Sequence, residues 1–159
     1  MCILAMLIAL EIVLSRFLSI NAWNTKIGFN FVPIVVAAVI FGPVEAAIVA
    51  GLGDFLGAIL FPIGAYFPGF TFTAAFTGMV FGLFLHKKSD GKNVLFSVLI
   101  NQLLGSLLLN TLWISILYGS PFGPLLATRL VQVAILAPVQ FLVISLIAKA
   151  RPTLEKAVK

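Results

Sequence analysis

An all-α integral membrane fold of six transmembrane helices follows from three features of the sequence. Of 159 residues, 62% are hydrophobic and 9% charged, against about 45–50% apolar and about 25% charged in soluble domains. The mean hydropathy is +1.19. The apolar residues fall into six runs divided by short polar or Gly/Pro-marked connections, and a helix needs about 20 apolar residues to cross roughly 30 Å of hydrocarbon. Those runs consume nearly the whole chain, so residues 1–159 form a single transmembrane domain with no room for a soluble one.

The first run, Cys2 to Leu18, has no basic stretch before it and no small-residue cleavage site after it, and is expected to be a retained helix, not a signal peptide. The second, Phe31 to Phe41, is too short to span alone. It is expected to be tilted, to thin the bilayer around it, or to be lengthened by part of the preceding loop. Phe41-Gly42-Pro43 ends it, because Gly and Pro punctuate helices and Pro suits the first turn of the next one. Four further spans follow at Val44 to Leu60, Phe70 to Leu85, Val94 to Tyr118 and Leu125 to Lys149.

Helices in lipid gain little from burying more oil, so close association depends on small side chains. Ala74, Gly78 and Gly82 repeat at four-residue steps in the fourth span, and Gly53 and Gly57 do so in the third beside Ala46 and Ala50. These stripes are expected to pack within the chain. The Ala5 and Ala9 stripe lies on a first helix, which is often peripheral, and suits contact with another subunit.

Basic residues in short loops set orientation. With six spans, "HKKSDGK" and the tail "KARPTLEKAVK" share a face and hold Lys87, Lys88, Lys92, Lys149, Arg151, Lys156 and Lys159. That face is expected to be cytoplasmic, with both termini on it, which leaves "INAWNTKIGFN", "FPIGAYFPGF" and "YGSPFG" outside. The net charge of +5 then reflects topology, not nucleic-acid binding.

Several classes are set aside by what a site would require. One His and one Cys cannot supply a soft metal-ligand set, and His86 falls at the cytoplasmic end of span four, so no metal and no cofactor is expected. An intramembrane enzyme would need a nucleophile with its base, yet G-x-S-x-G, H-E-x-x-H and a second His are all missing. No P-loop sequence is present either, so any powered work draws on ATP hydrolysed by another chain. Neither an inverted repeat nor paired broken helices argue for a self-sufficient transporter.

Polar residues inside a bilayer are costly and mark function by default. Arg16, Asp54, Asn110, Arg129 and Gln132 all fall in the outer half of their spans, and Gln102, Ser106 and Asn110 share one helix face at four-residue steps. That face is expected to look inward. Individually, alternatives stay open: Arg16 snorkels to headgroups or enters a pocket, Asp54 and Arg129 pair with each other or contact a ligand, and Gln102 and Ser106 bond across helices. Glu11 and Glu45 read as structural or interfacial. The outer loop "FPIGAYFPGFT" is rigid and aromatic. Its Tyr66 and Phe67, with Trp23 of the first outer loop, supply either an interfacial belt or a stacking lid. Cations Arg16, Lys26 and Arg129 beside those rings suit a ligand with an aromatic heterocycle and anionic groups.

Six short helices, the A-x-x-x-A of Ala5 to Ala9, a basic fourth loop, and the phrases "SRFLSINAWNTKIGFNFVPI" and "GAYFPGFTFTAAFTG" together resemble the S-components of energy-coupling factor (ECF) vitamin transporters, the folate-specific branch in particular. The resemblance covers essentially the whole chain. It implies a substrate-binding subunit in a bacterial cell membrane that captures folate from outside and docks on a transmembrane coupling subunit carrying two cytoplasmic ATPases. It also implies that the bound vitamin is carried inward by toppling, that Ala5 and Ala9 face the coupling subunit, and that loops around Trp23 and Phe67 gate the pocket. The hydroxymethylpyrimidine and pantothenate S-components share the fold and are the alternative.

Overall fold

The computed structural model of the chain describes residues 1–22, 25–62, 65–88, 90–119 and 121–158, with side chains throughout except at 21–22, 25–27 and 158. Among these residues there are seven helices: α1 (Cys2–Arg16), α2 (Phe31–Ile40), α3 (Pro43–Leu60), α4 (Pro68–Leu85), α5 (Gly91–Tyr118), α6 (Phe122–Lys149) and α7 (Arg151–Val158). The first six match the expected runs to within three residues at each end. The all-helical class holds, and three small elements lie beyond the expected six helices. Strands β1 (Ile20–Ala22) and β2 (Thr25–Ile27) pair antiparallel between α1 and α2, with Asn21 opposite Lys26. The basic tail is itself helical, its Arg151 donating to Glu155 at 2.8 Å one turn on, and it packs against α2 and α6.

Helices α3 to α6 are long and apolar enough to cross a membrane. At about 1.5 Å per residue, α1 extends for roughly 22 Å and α2 for roughly 15 Å. The shortness of α2 needs neither tilting nor bilayer thinning. Phe31, Pro33, Ile34, Val35, Ala37, Ala38 and Val39 are all buried, because α1, α3, α4 and α6 surround the helix. Wrapped in protein, it does not have to match the lipid thickness. Phe31 and Ile34 of its first turn form part of a cavity wall.

The turn from α2 to α3 depends on Gly42, whose φ of 121° is strained for any residue with a side chain, and on Pro43 at the first position of α3. Pro43 then meets α4. Gly82 lies against the Cα of Pro43 and Gly78 against the carbonyl of Ala46, so closely that a Cβ at either would overlap the α3 backbone. The small-residue stripes of α3 and α4 thus pack within the chain. On the other side of α3, Gly53 and Gly57 accommodate side chains from α1: the Glu11 carboxylate rests on Gly53 and the Arg16 guanidinium on Gly57.

Two helices lose regular α geometry in the membrane interior. From Asn101 to Asn110, α5 is wound as a π-helix, a form that recurs at functional sites. Pro138 lies inside α6 and removes the N–H that would have bonded the carbonyl one turn earlier. Ala5 and Ala9 are exposed, on the side of α1 opposite its buried Leu7, Glu11 and Ser15.

Candidate functional site

A cavity of about 360 Å³ opens among α1, α3, α4, α5 and α6 on the side of the α3–α4 and α5–α6 connections. Of the polar and aromatic residues that the sequence offered for a pocket, nine line it: Arg16, Asp54, Tyr66, Phe67, Gln102, Ser106, Asn110, Arg129 and Gln132. Trp23 lies outside the described residues. Lys26 is described only as β2 backbone, and its side chain lies outside them too.

Arg16 turns inward from the end of α1 instead of snorkelling outward. Its side chain is 11% exposed, its Nη2 lies 3.8 Å from the Asp54 carboxylate, and the same nitrogen donates to the Asp54 carbonyl at 3.2 Å. Asp54 therefore pairs with Arg16 and not with Arg129. Its other oxygen accepts the Thr71 hydroxyl at 3.0 Å. Since Thr71 spends its one proton there, the Tyr66 hydroxyl, 3.1 Å away, must donate to Thr71. The resulting chain Tyr66–Thr71–Asp54–Arg16 ties the lip of the cavity to its charged wall.

Arg129 reaches the cavity from the second turn of α6, buried, and donates to the Ser106 carbonyl at 3.3 Å. Ser106 sits in the π-wound stretch, where Gln102, Ser106 and Asn110 all face the cavity, as four-residue steps still nearly complete a turn. The cavity thus carries two guanidinium groups and a row of neutral amides and hydroxyls. Guanidinium is the group best suited to hold carboxylates in two-point contact.

Phe67 forms part of the mouth and is anchored from behind. Its ring lies 5.5 Å from Trp113 and 6.2 Å from Phe70. Trp113 is fixed in turn by donating to the Thr73 hydroxyl at 2.9 Å. Tyr66 stacks edge-on against Phe55 at 5.9 Å. Both rings are preset, not loose belt residues, which lowers the ordering cost of stacking a flat ligand on them.

Sequence reasoning missed several wall residues. Glu11 is 2% exposed and lines the cavity, so it is not interfacial. Its presence inside a span was the available signal, because a carboxylate in hydrocarbon is a functional candidate whatever its neighbours. Asn101 and Gln140 also line the cavity, and Trp113 stands behind Phe67. Among the described residues no group of His, Cys, Asp and Glu is arranged to hold a metal ion.

A substrate cavity set within a bundle of membrane helices, with a charged wall and an aromatic mouth, defines a membrane solute-binding protein. The chain belongs to the substrate-specific components of ECF transporters, whose family model matches residues 1–150. Over 145 residues it is 44% identical to the folate transporter FolT of Clostridium novyi (strain NT), covering 91% of this chain and 84% of that one. It is 32% identical over 145 residues to the folate transporter FolT of Leuconostoc mesenteroides subsp. mesenteroides, covering 87% and 78%. Its fold superimposes on a crystal structure of FolT bound with folic acid with a TM-score of 0.88, at 33% identity and 92% coverage of both chains. These relatives are transport subunits, not enzymes.

Proposed function

We propose that this chain is the folate-binding S-component of an ECF importer, capturing folate from outside the cell and releasing it inward through a coupling subunit and two ATPases. The observation that carries the reading is the cavity itself: two guanidinium groups, a row of amides and an anchored aromatic mouth in one space. Folate offers a flat pterin, a benzoyl ring and a glutamate with two carboxylates, which those groups complement in kind. The 44% identity to a folate transporter over 91% of the chain supports the same choice of ligand. In this reading α1 and α2 complete a six-span bundle, the basic face with both termini is cytoplasmic, and the mouth at Tyr66 and Phe67 is external. Arg16, Lys26 and Arg129 are the carboxylate partners, Trp23, Tyr66 and Phe67 the stacking rings, and Asp54, Asn110 and Gln132 the polar readers.

Truncating either kind of contact tests the assignment. Arg129→Ala and Phe67→Ala are each expected to weaken folate binding by about 1–3 kcal/mol, through loss of a charge-assisted hydrogen bond and of stacking. Calorimetry on the detergent-purified variants reads this directly. Parent-like affinity in both, with elution as a folded monodisperse species, would mean that folate binds elsewhere.

A further inference from the structure

Thr71 lies in the first turn of α4, half-buried and absent from the cavity wall, yet its hydroxyl touches two residues that belong to that wall. It donates to Asp54 Oδ2 at 3.0 Å and accepts from the Tyr66 hydroxyl, 3.1 Å away. Asp54 passes the constraint on. Its Oδ1 lies 3.8 Å from Arg16 Nη2, and its main-chain carbonyl accepts from the same nitrogen at 3.2 Å. The Arg16 side chain reaches Asp54 across Gly57, where a Cβ would stand 2.8 Å from Nε. Helix α3 thus holds Arg16 through Asp54, and α4 holds Asp54 through Thr71.

A hydroxyl brings one proton and two lone pairs. With the proton committed to the carboxylate, only the lone pairs are left for Tyr66, so the chain is polarised one way, from phenol to hydroxyl to carboxylate. Hydrogen bonds linked in this manner strengthen one another where water is partly excluded. Tyr66 is 42% exposed, and what seats it is the Thr71 hydroxyl together with the Phe55 ring at 5.9 Å. A plain brace between α3 and α4 would be redundant here. Those helices are already in backbone contact at Gly78 and Gly82, about 10 Å and more along α4 from Thr71.

We propose that Thr71 is a positioning residue of the binding site: without touching the ligand, its hydroxyl sets the aim of Arg16 and the seat of Tyr66 together, so that charged wall and lip form one preorganised unit. The inference rests on the folate reading for its ligand. A site whose groups are already held in place spends less of its contact energy on ordering them. Removing this hydroxyl leaves every side chain of the cavity wall present and loosens two of them at once.

Folate affinity is measured by calorimetry on the detergent-purified parent, Thr71→Val and Thr71→Ser. Thr71→Val keeps the shape without the hydroxyl and is expected to lose about tenfold, the scale of one hydrogen bond to a charged group. Thr71→Ser restores the hydroxyl and is expected to bring affinity back to within about twofold of the parent. Tyr66→Phe removes only the phenol hydroxyl; it is expected to cost about fivefold in the parent and to add nothing to Thr71→Val, because both substitutions break the same link. Parent-like affinity in Thr71→Val overturns the proposal, and so does a loss that Thr71→Ser fails to restore, since shape and not the hydroxyl would then matter. Losses that multiply to about fiftyfold in the double variant overturn it too, because they mark two independent groups. Where Thr71→Val yields no folded protein, Tyr66→Phe alone decides: parent-like affinity there overturns the proposal. A parent that binds no folate overturns the folate reading and the proposal with it, and is told apart by failing before any substitution is made.

Discussion

Ala5→Trp combined with Ala9→Trp is expected to abolish ATP-driven folate uptake while leaving folate affinity of the isolated chain within about threefold of the parent. The two alanines lie one turn apart on α1 and are exposed, while the cavity-facing groups of that helix, Glu11 and Arg16, belong to its opposite side and its C-terminal end. A small-residue stripe lets another helix approach backbone to backbone, and two indoles hold it off by several ångströms. Both alanines are exposed among the described residues, so bulk there should not disturb the bundle. Uptake is measured in proteoliposomes containing the coupling subunit, both ATPases and ATP, and assembly by co-purification. Loss of folate binding together with assembly would place the stripe inside the fold. Unchanged uptake would remove it from the transport cycle.

Gly82→Leu is expected to prevent recovery of folded protein, the largest structural effect of any single substitution considered. Gly82 rests on Pro43 and Gly78 on Ala46, so even a methyl must separate α3 from α4, and neither partner is a flexible side-chain tip that can move aside. Overpacking typically costs about 1–3 kcal/mol, and a backbone obstacle puts this case at or above the top of that range. Gly91→Ala, which adds a methyl where nothing lies within 4 Å, serves as the reference and should leave the thermal midpoint in detergent unchanged. A Gly82→Leu protein that elutes and melts like the parent would show that the α3–α4 contact is not tight.

The fold was legible because lipid imposes a simple rule: backbone must be satisfied within a segment, so apolar runs become helices and their ends fall at polar or Gly/Pro positions. Phe41-Gly42-Pro43 shows this well, since positive φ at Gly42 and Pro at the first helical position are both local requirements. What escaped depends on neighbours. The length of α2 looked like a problem of bilayer matching, yet it is settled by the helices that wrap it. The β1–β2 ribbon has three residues per strand, too few for an alternation to register, and α7 is too short and polar to register as a span. Charge pairing escaped for the same reason. Asp54 lies in α3 and could reach a cation on either side, and only the tertiary arrangement assigns it to Arg16. The inward face of α5 was legible from the spacing of Gln102, Ser106 and Asn110. Its π winding was not, nor the contacts of Asn101 with Thr77 and of Gln102 with Gln140 from other helices.

Ligand class is the claim on which the other statements depend, and isothermal calorimetry on the detergent-purified chain addresses it without any partner protein. Folic acid is expected to bind tightly at one site per chain, without turnover, and riboflavin at least a hundredfold more weakly, because riboflavin brings a flat heterocycle but no carboxylates for Arg16 and Arg129. Equal affinity for the two vitamins would contradict a cavity built for folate.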